Sequence, residues 1–253
     1  MEPDILAIIP ARGGSKGIPR KNLALLAGKP LIDYTIEAAQ ESNVLSRIVV
    51  STDDPEISNH AKSKGVEVPF LRPAEISGDD TPMLDVVRHT LDALGARDAQ
   101  AIVLLQPTSP FRLPCHIDEA IRLFEQHSAD TVVSVMQTEH RYAPESQMRM
   151  DDEGRLHPYS SEVALRPRQE KEVLFVRNGP AVLVCLTETI LRGSLYGECV
   201  IGLEMGRWES TDIDDADDLL LAEWLVHRGI LSVETESLLS QREDVESRPE
   251  GNR

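Results

Sequence analysis

The chain carries 43 acidic against 26 basic side chains in 253 residues, a formal net charge of -17. A field of that sign repels polyanions, which excludes a broad nucleic-acid surface and leaves room only for a local basic pocket that holds one small anion. With 41% hydrophobic residues, four Phe, four Tyr and two Trp, the composition is that of a globular chain with an aliphatic core. Met1-Glu2-Pro3-Asp4-Ile5-Leu6 holds no basic segment followed by an apolar stretch, and no later run approaches the roughly 20 apolar residues that cross a bilayer, so neither export nor membrane insertion is expected. Cys115, Cys185 and Cys199 lack CxxC spacing, which argues against a disulfide framework or a cysteine zinc site and fits a reducing, cytoplasmic setting.

The run Ile5-Leu6-Ala7-Ile8-Ile9 is too short for a helix and leads into a glycine-rich segment, as a buried strand feeding a loop does. Comparable runs at 47–51, 66–71, 101–105 and 131–135 alternate with helical periodicity at 31–41, 55–64, 83–94 and 117–127. That alternation predicts a layered α/β domain whose strands pair in parallel through right-handed crossovers, with ligands bound beyond the carboxyl ends of the strands. From about Gln137 to Glu172 the chain turns polar and aperiodic, and is expected to form a hairpin-containing insertion. Core-like strands return at 173–176, 181–186 and 200–204, before a closing helix at 216–228. The domain is expected to span 1–232, with 233–253, rich in Glu, Ser and Arg, as a disordered acidic tail.

The segment Ile9-Pro10-Ala11-Arg12-Gly13-Gly14-Ser15-Lys16-Gly17-Ile18-Pro19-Arg20-Lys21-Asn22 is the most informative. Glycines let backbone N–H groups face an anion, and Arg12, Lys16, Arg20 and Lys21 concentrate cations in an otherwise acidic chain, so phosphate binding is expected here. Neither GxxxxGK[ST] nor GxGxxG is present, which excludes a P-loop and a dinucleotide fingerprint. Near the other end, Glu209-Ser210-Thr211-Asp212-Ile213-Asp214-Asp215-Ala216-Asp217-Asp218 gathers carboxylates. In an extended D-x-D, Asp212 and Asp214 point to the same side and can converge on one hard cation such as Mg²⁺, which prefers one or two carboxylates plus water and phosphate oxygens. The competing explanation for all of these acids is the dipole of the following helix, and it suffices for Asp215, Asp217 and Asp218. The histidines show no HxH or HExxH spacing, so no histidine metal site is expected.

The glycine loop resembles the signature of the acylneuraminate cytidylyltransferase (CMP-sialic acid synthetase) family. The likeness continues through Gly28-Lys29-Pro30-Leu31-Ile32, Val50-Ser51-Thr52-Asp53-Asp54, Leu105-Gln106-Pro107-Thr108-Ser109-Pro110-Phe111-Arg112, Arg166-Pro167-Arg168-Gln169, Asn178-Gly179 and Asp212-Ile213-Asp214, all in the family's order. What the resemblance implies is a three-layer α/β nucleotide-binding fold with a mainly parallel sheet, in which CTP reacts with a nine-carbon 2-keto sugar acid to give the CMP-sugar and pyrophosphate, Mg²⁺ assisting. On that basis Arg12, Lys16 and Lys21 bind phosphates, Ala11, Gly13, Asn22, Arg72 and Thr81 complete the nucleotide site, and Asp212 and Asp214 hold the metal. Gln106, Arg168 and Asn178 would face the sugar acid. Gln106 can donate and accept, which suits hydroxyls, and the planar fork of Arg168 fits a carboxylate, a role for which Arg166 competes. The insertion at 137–172 would be a dimerisation segment, giving a homodimer. Val182 stands where relatives that activate N-acetylneuraminic acid commonly place an aromatic, so neuraminic, legionaminic and pseudaminic acids are all open as acceptors. An eight-carbon 2-keto acid, a sugar 1-phosphate, or CTP binding without turnover are the alternatives.

Overall fold

The computed structural model describes residues 4–159 and 172–230. Its elements in chain order are β1 (Ile5–Pro10), a tight β2–β3 hairpin (Leu25–Leu26 and Lys29–Pro30), α1 (Leu31–Gln40), β4 (Arg47–Ser51), α2 (Pro55–Ser63), α3 (Met83–Leu94), β5 (Ala101–Leu104), α4 (Pro114–His127) and β6 (Thr131–Gln137). The hairpin β7–β8 (Met148–Met150 and Leu156–Pro158) follows, then β9 (Phe175–Arg177), β10 (Leu183–Leu186), α5 (Thr187–Leu191), β11 (Val200–Glu204) and α6 (Ala216–His227).

The main sheet runs in the order β11-β6-β10-β5-β1-β4, with β9 on β6. β1 pairs in parallel with both β4 and β5, and β11 with β6, so Pro10, Ser51 and Leu104 all end at the same edge. The expected three-layer α/β fold with mostly parallel central strands is found, and two strands run the other way. β10 lies antiparallel between β5 and β6, and β9 is antiparallel to β6. An apolar run records burial but not direction, and the short α5 after β10 gave no periodic signal. The run at 66–71 forms no strand of its own; it touches β4 and the residue after it at two isolated parallel bridges, Val49 with Glu67 and Thr52 with Leu71.

Alternation along β1 explains the three layers. Ile5, Ala7 and Ile9 pack on one side with Ile32 and Ile36 of α1, Ile57 and Ala61 of α2, and Ile117, Ile121 and Phe124 of α4. Leu6 and Ile8 face the other side, where Val87 and Leu91 of α3 and Ile190 of α5 cover them. A third cluster joins Ala222 and Leu225 of α6 to Ile18, Leu26, Leu31, Phe111 and Ile213, and thereby seats α6 against the glycine loop. Among the described residues no helix is long and apolar enough to cross a membrane. The expected tail at 233–253 lies outside the described residues.

Candidate active site

Three parallel strands deliver their following loops to one edge of the sheet, and a cleft of about 250 Å³ opens there. Arg12, Lys21 and Asn22 line it from the glycine loop, Arg72, Asp79 and Thr81 from the segment before α3, Gln106 from the loop after β5, and Asp212 and Asp214 from the approach to α6. Residues far apart in sequence are therefore brought to one chamber lined by both cations and carboxylates.

Close packing, not unusual backbone angles, decides two of the glycines. A Cβ on Gly13 would sit 2.6 Å from Asp54 Oδ2, and one on Gly17 would run into the carbonyl oxygen of Asp214. The Gly13 N–H donates to Asp53 Oδ1 at 2.9 Å, so it is turned to the end of β4 and away from the cleft. Asn22 is buried and donates through Nδ2 to the Arg12 carbonyl at 2.8 Å, which pins the loop's two ends together. Ala11 is fully buried, its N–H bound to Ser51 O. Ala11 and Gly13 thus shape the loop from behind.

The cations differ in how they are satisfied. Lys21 Nζ donates to Ile213 O at 2.9 Å and meets Asp214 Oδ1 at 3.2 Å, joining the loop to the acidic segment. Arg12 and Lys16 both reach Asp79. Arg20 pairs with Asp54, the N-cap of α2, and with Glu56 in its first turn, outside the cleft lining. Arg72 stands apart: it is 6% exposed, and its Nε and Nη2 have no hydrogen-bond partner. Asp53 Oδ1 is 3.8 Å from Nη2, too far for a hydrogen bond. Burial, then the neighbouring charge of Arg12 against that of Asp53, leaves the Arg72 guanidinium below its ordinary range. A buried cation with spare donors costs several kcal/mol unless an anion completes it.

Asp212 is half-buried and its pKa is raised, chiefly by burial and also by the charge of Asp214. Hydrogen bonds from Thr108 and Ser109 and the charge of Lys21 act the other way. Asp214 is largely exposed. An all-oxygen pair, one member desolvated, beside a cleft suited to phosphate has the donor chemistry that Mg²⁺ takes. The remaining acids behave as the helix dipole requires: Asp215 caps α6 by accepting from the N–H groups of Asp217 and Asp218, and Asp218 returns the bond to Asp215.

On the far side, Gln106 Nε2 donates weakly to Gly179 O at 3.4 Å. Asn178 does not line the cleft: its Oδ1 accepts from Ser134 Oγ, its Nδ2 donates to Ser210 Oγ, and it is buried. Val182 is likewise fully buried in the main core, away from the cleft lining. Arg166 and Arg168 lie outside the described residues. Two residues that spacing alone did not assign also matter. Asp79 holds two loop cations, and Arg112, fully enclosed, donates to Ala181 O, Thr35 Oγ1 and Gln106 O. Burial lowers the pKa of Arg112 to about 9. Its three bonds tie α1, the loop after β5 and the turn before β10 to one another.

A family profile described as cytidylyltransferase matches residues 6–191. The N-acylneuraminate cytidylyltransferase of Streptococcus agalactiae serotype V is 36% identical over 219 residues, 85% of this chain and 51% of that protein. The CMP-N,N'-diacetyllegionaminic acid synthase of Legionella pneumophila is 36% identical over 225 residues, 88% of this chain and 96% of that protein. The chain spans about half the length of the N-acylneuraminate cytidylyltransferases it matches. Among solved structures, a CMP:2-keto-3-deoxy-manno-octonic acid synthetase complexed with CTP superposes with a TM-score of 0.66 at 16% identity, covering 89% of this chain and 99% of its own, which establishes the shared fold. The chain belongs to the cytidylyltransferase family.

Proposed function

We propose that the protein transfers CMP from CTP to the anomeric hydroxyl of a nine-carbon 2-keto sugar acid of the neuraminic, legionaminic or pseudaminic type, releasing pyrophosphate. The observation that carries this reading is Arg72, a buried guanidinium with unpartnered donors in a cleft that also holds Arg12, Lys21 and the Asp212–Asp214 pair. A triphosphate supplies the hydrogen-bond acceptors that Arg72 lacks. The full-length relative named a CMP-N,N'-diacetyllegionaminic acid synthase supports the acceptor class.

In this reading Arg12, Lys16, Lys21 and Arg72 grip the phosphates and spread the charge that builds on the departing diphosphate, so catalysis is by positioning and electrostatics. Asn22 and Thr81 take the nucleoside side, with Ala11 and Gly13 setting the loop's shape behind them. Gln106 contacts the sugar hydroxyls, Asn178 holds the wall behind it, and Arg168 takes the acceptor carboxylate. Asp212 and Asp214 would hold Mg²⁺, which when bound neutralises phosphate charge. The chain works as a cytoplasmic homodimer built through the segment at 137–172, whose described part exposes Met148, Met150, Leu156 and Tyr159 around the β7–β8 hairpin.

The test is pyrophosphate release from CTP and Mg²⁺ with a panel of nonulosonic acids and an eight-carbon 2-keto acid. Release with at least one nine-carbon acid is expected, and none with any of them would refute the proposal. Asp212→Asn and Asp214→Asn should each remove most of the turnover; wild-type rates in both would refute the metal assignment.

A further inference from the structure

Arg12 and Lys16 are already engaged, and by one side chain. Arg12 Nη1 lies 2.6 Å from Asp79 Oδ1, and Lys16 Nζ lies 3.0 Å from Asp79 Oδ2. Each carboxylate oxygen takes one cation, as two oxygens of a phosphate would. Asp79 belongs to the wall that faces the glycine loop, and the hydrogen bond from Lys16, with the charges of Arg12 and Lys16, holds its carboxyl below the usual carboxylate range. The contact is built to open. Arg12 and Asp79 are each about one-third exposed and Lys16 is three-quarters exposed, so parting them uncovers no core.

We propose that Asp79 is a resident counter-ion of the phosphate site, displaced from Arg12 and Lys16 by an incoming polyphosphate and returning to them when the polyphosphate leaves. The inference rests on the reading of Arg12 and Lys16 as phosphate ligands. Nucleotide binding is then an ion exchange: a ligand gains only the surplus of its own ion pairs over those of Asp79. A triphosphate carries charge enough to replace both, whereas a nucleoside monophosphate, with fewer anionic oxygens, offsets less of the loss. Asp79 therefore lowers the site's affinity for polyphosphates and, after transfer, recaptures the cations that held the departing pyrophosphate, which favours its release.

Calorimetric titration of Asp79→Asn with pyrophosphate, CTP and CMP tests this. Pyrophosphate and CTP should bind about three- to tenfold more tightly than to the wild type, the range expected from losing one or two exposed ion pairs, while CMP changes by less than about twofold. Asp80→Asn is the control, since Asp80 is exposed and makes no ion pair among the described residues; it should shift each ligand by less than about twofold. Unchanged or weaker pyrophosphate binding by Asp79→Asn would overturn the proposal, as would an equal gain from Asp80→Asn, which would mark a diffuse charge effect. Asp79→Ser, checked by thermal melting, guards against a folding artefact and should show the same gain. Tightening without CMP transfer to any acid leaves the exchange standing and removes the proposed reaction; transfer with no tightening does the reverse.

Discussion

Arg72 makes opposite demands on stability and on binding. Its Nε and Nη2 are buried without hydrogen-bond partners and its nearest carboxylate, Asp53, stands 3.8 Å away, so replacing it with Met removes a poorly satisfied charge and keeps most of the volume. Arg72→Met is therefore expected to melt at or above the wild-type temperature while losing about 10²-fold in kcat/KM for CTP, the scale of one lost charge-assisted contact. A large drop in melting temperature would mark Arg72 as structural instead. At this scale much of the site was legible. Arg12 and Lys21 announce themselves as cations crowded together in an acidic chain, Asp212 and Asp214 as a D-x-D pair, and all four line the cleft. Asp79 and Asn178 illustrate the limit. An aspartate in an acidic chain carries no local signal that it will span two cations, and an asparagine's spacing does not reveal that Ser134 and Ser210 will consume its amide.

Between elements, the seam that matters joins the glycine loop to the start of α6. Because the backbone of Asp214 presses on Gly17, Gly17→Ala must push the acidic segment away, at a cost of about 1–3 kcal/mol in urea unfolding and with loss of turnover as Asp214 parts from Lys21. Helix α4 supplies a pH-dependent counterpart. Its first turn is closed by the Leu113 N–H donating to His116 Nδ1, a bond that only the neutral ring accepts, and burial lowers the His116 pKa from 6.5. With the folded value depressed, the contribution is complete above pH 6.5 and is lost as the pH falls from there through the lowered folded value. Urea midpoints measured from pH 8 to pH 5 should decline in this window, and His116→Asn should flatten part of the decline; an unchanged slope would count against the role. Element positions were readable where burial is two-sided or periodic, as in β1, β4, β5, α1 and α3. The direction of β10 was not, because the pattern Leu183-Val184-Cys185-Leu186 is equally apolar either way up.

Across the whole molecule, the three cysteines report on packing. Cys185 is fully buried and burial pushes its thiol up to about 12, whereas Cys115 and Cys199 are exposed. A thiol reagent at pH 8 should titrate two groups in the native protein and the third only after unfolding; three fast thiols would show that β10 is not held in the sheet. The reversed strand also has a bearing on synthesis. β1, β4 and β5 find one another as soon as residue 104 has emerged, but the partners of β6 are β9, β10 and β11, all made later. A chain ending at residue 150 should therefore aggregate where one ending at residue 230 does not; soluble, monomeric behaviour of the shorter chain would contradict this. At ribosomal speeds of about 5–20 residues per second, the stretch Thr131-Val132-Val133-Ser134-Val135-Met136 waits seconds with both edges bare, which makes it the point at which a nascent chain depends most on chaperones.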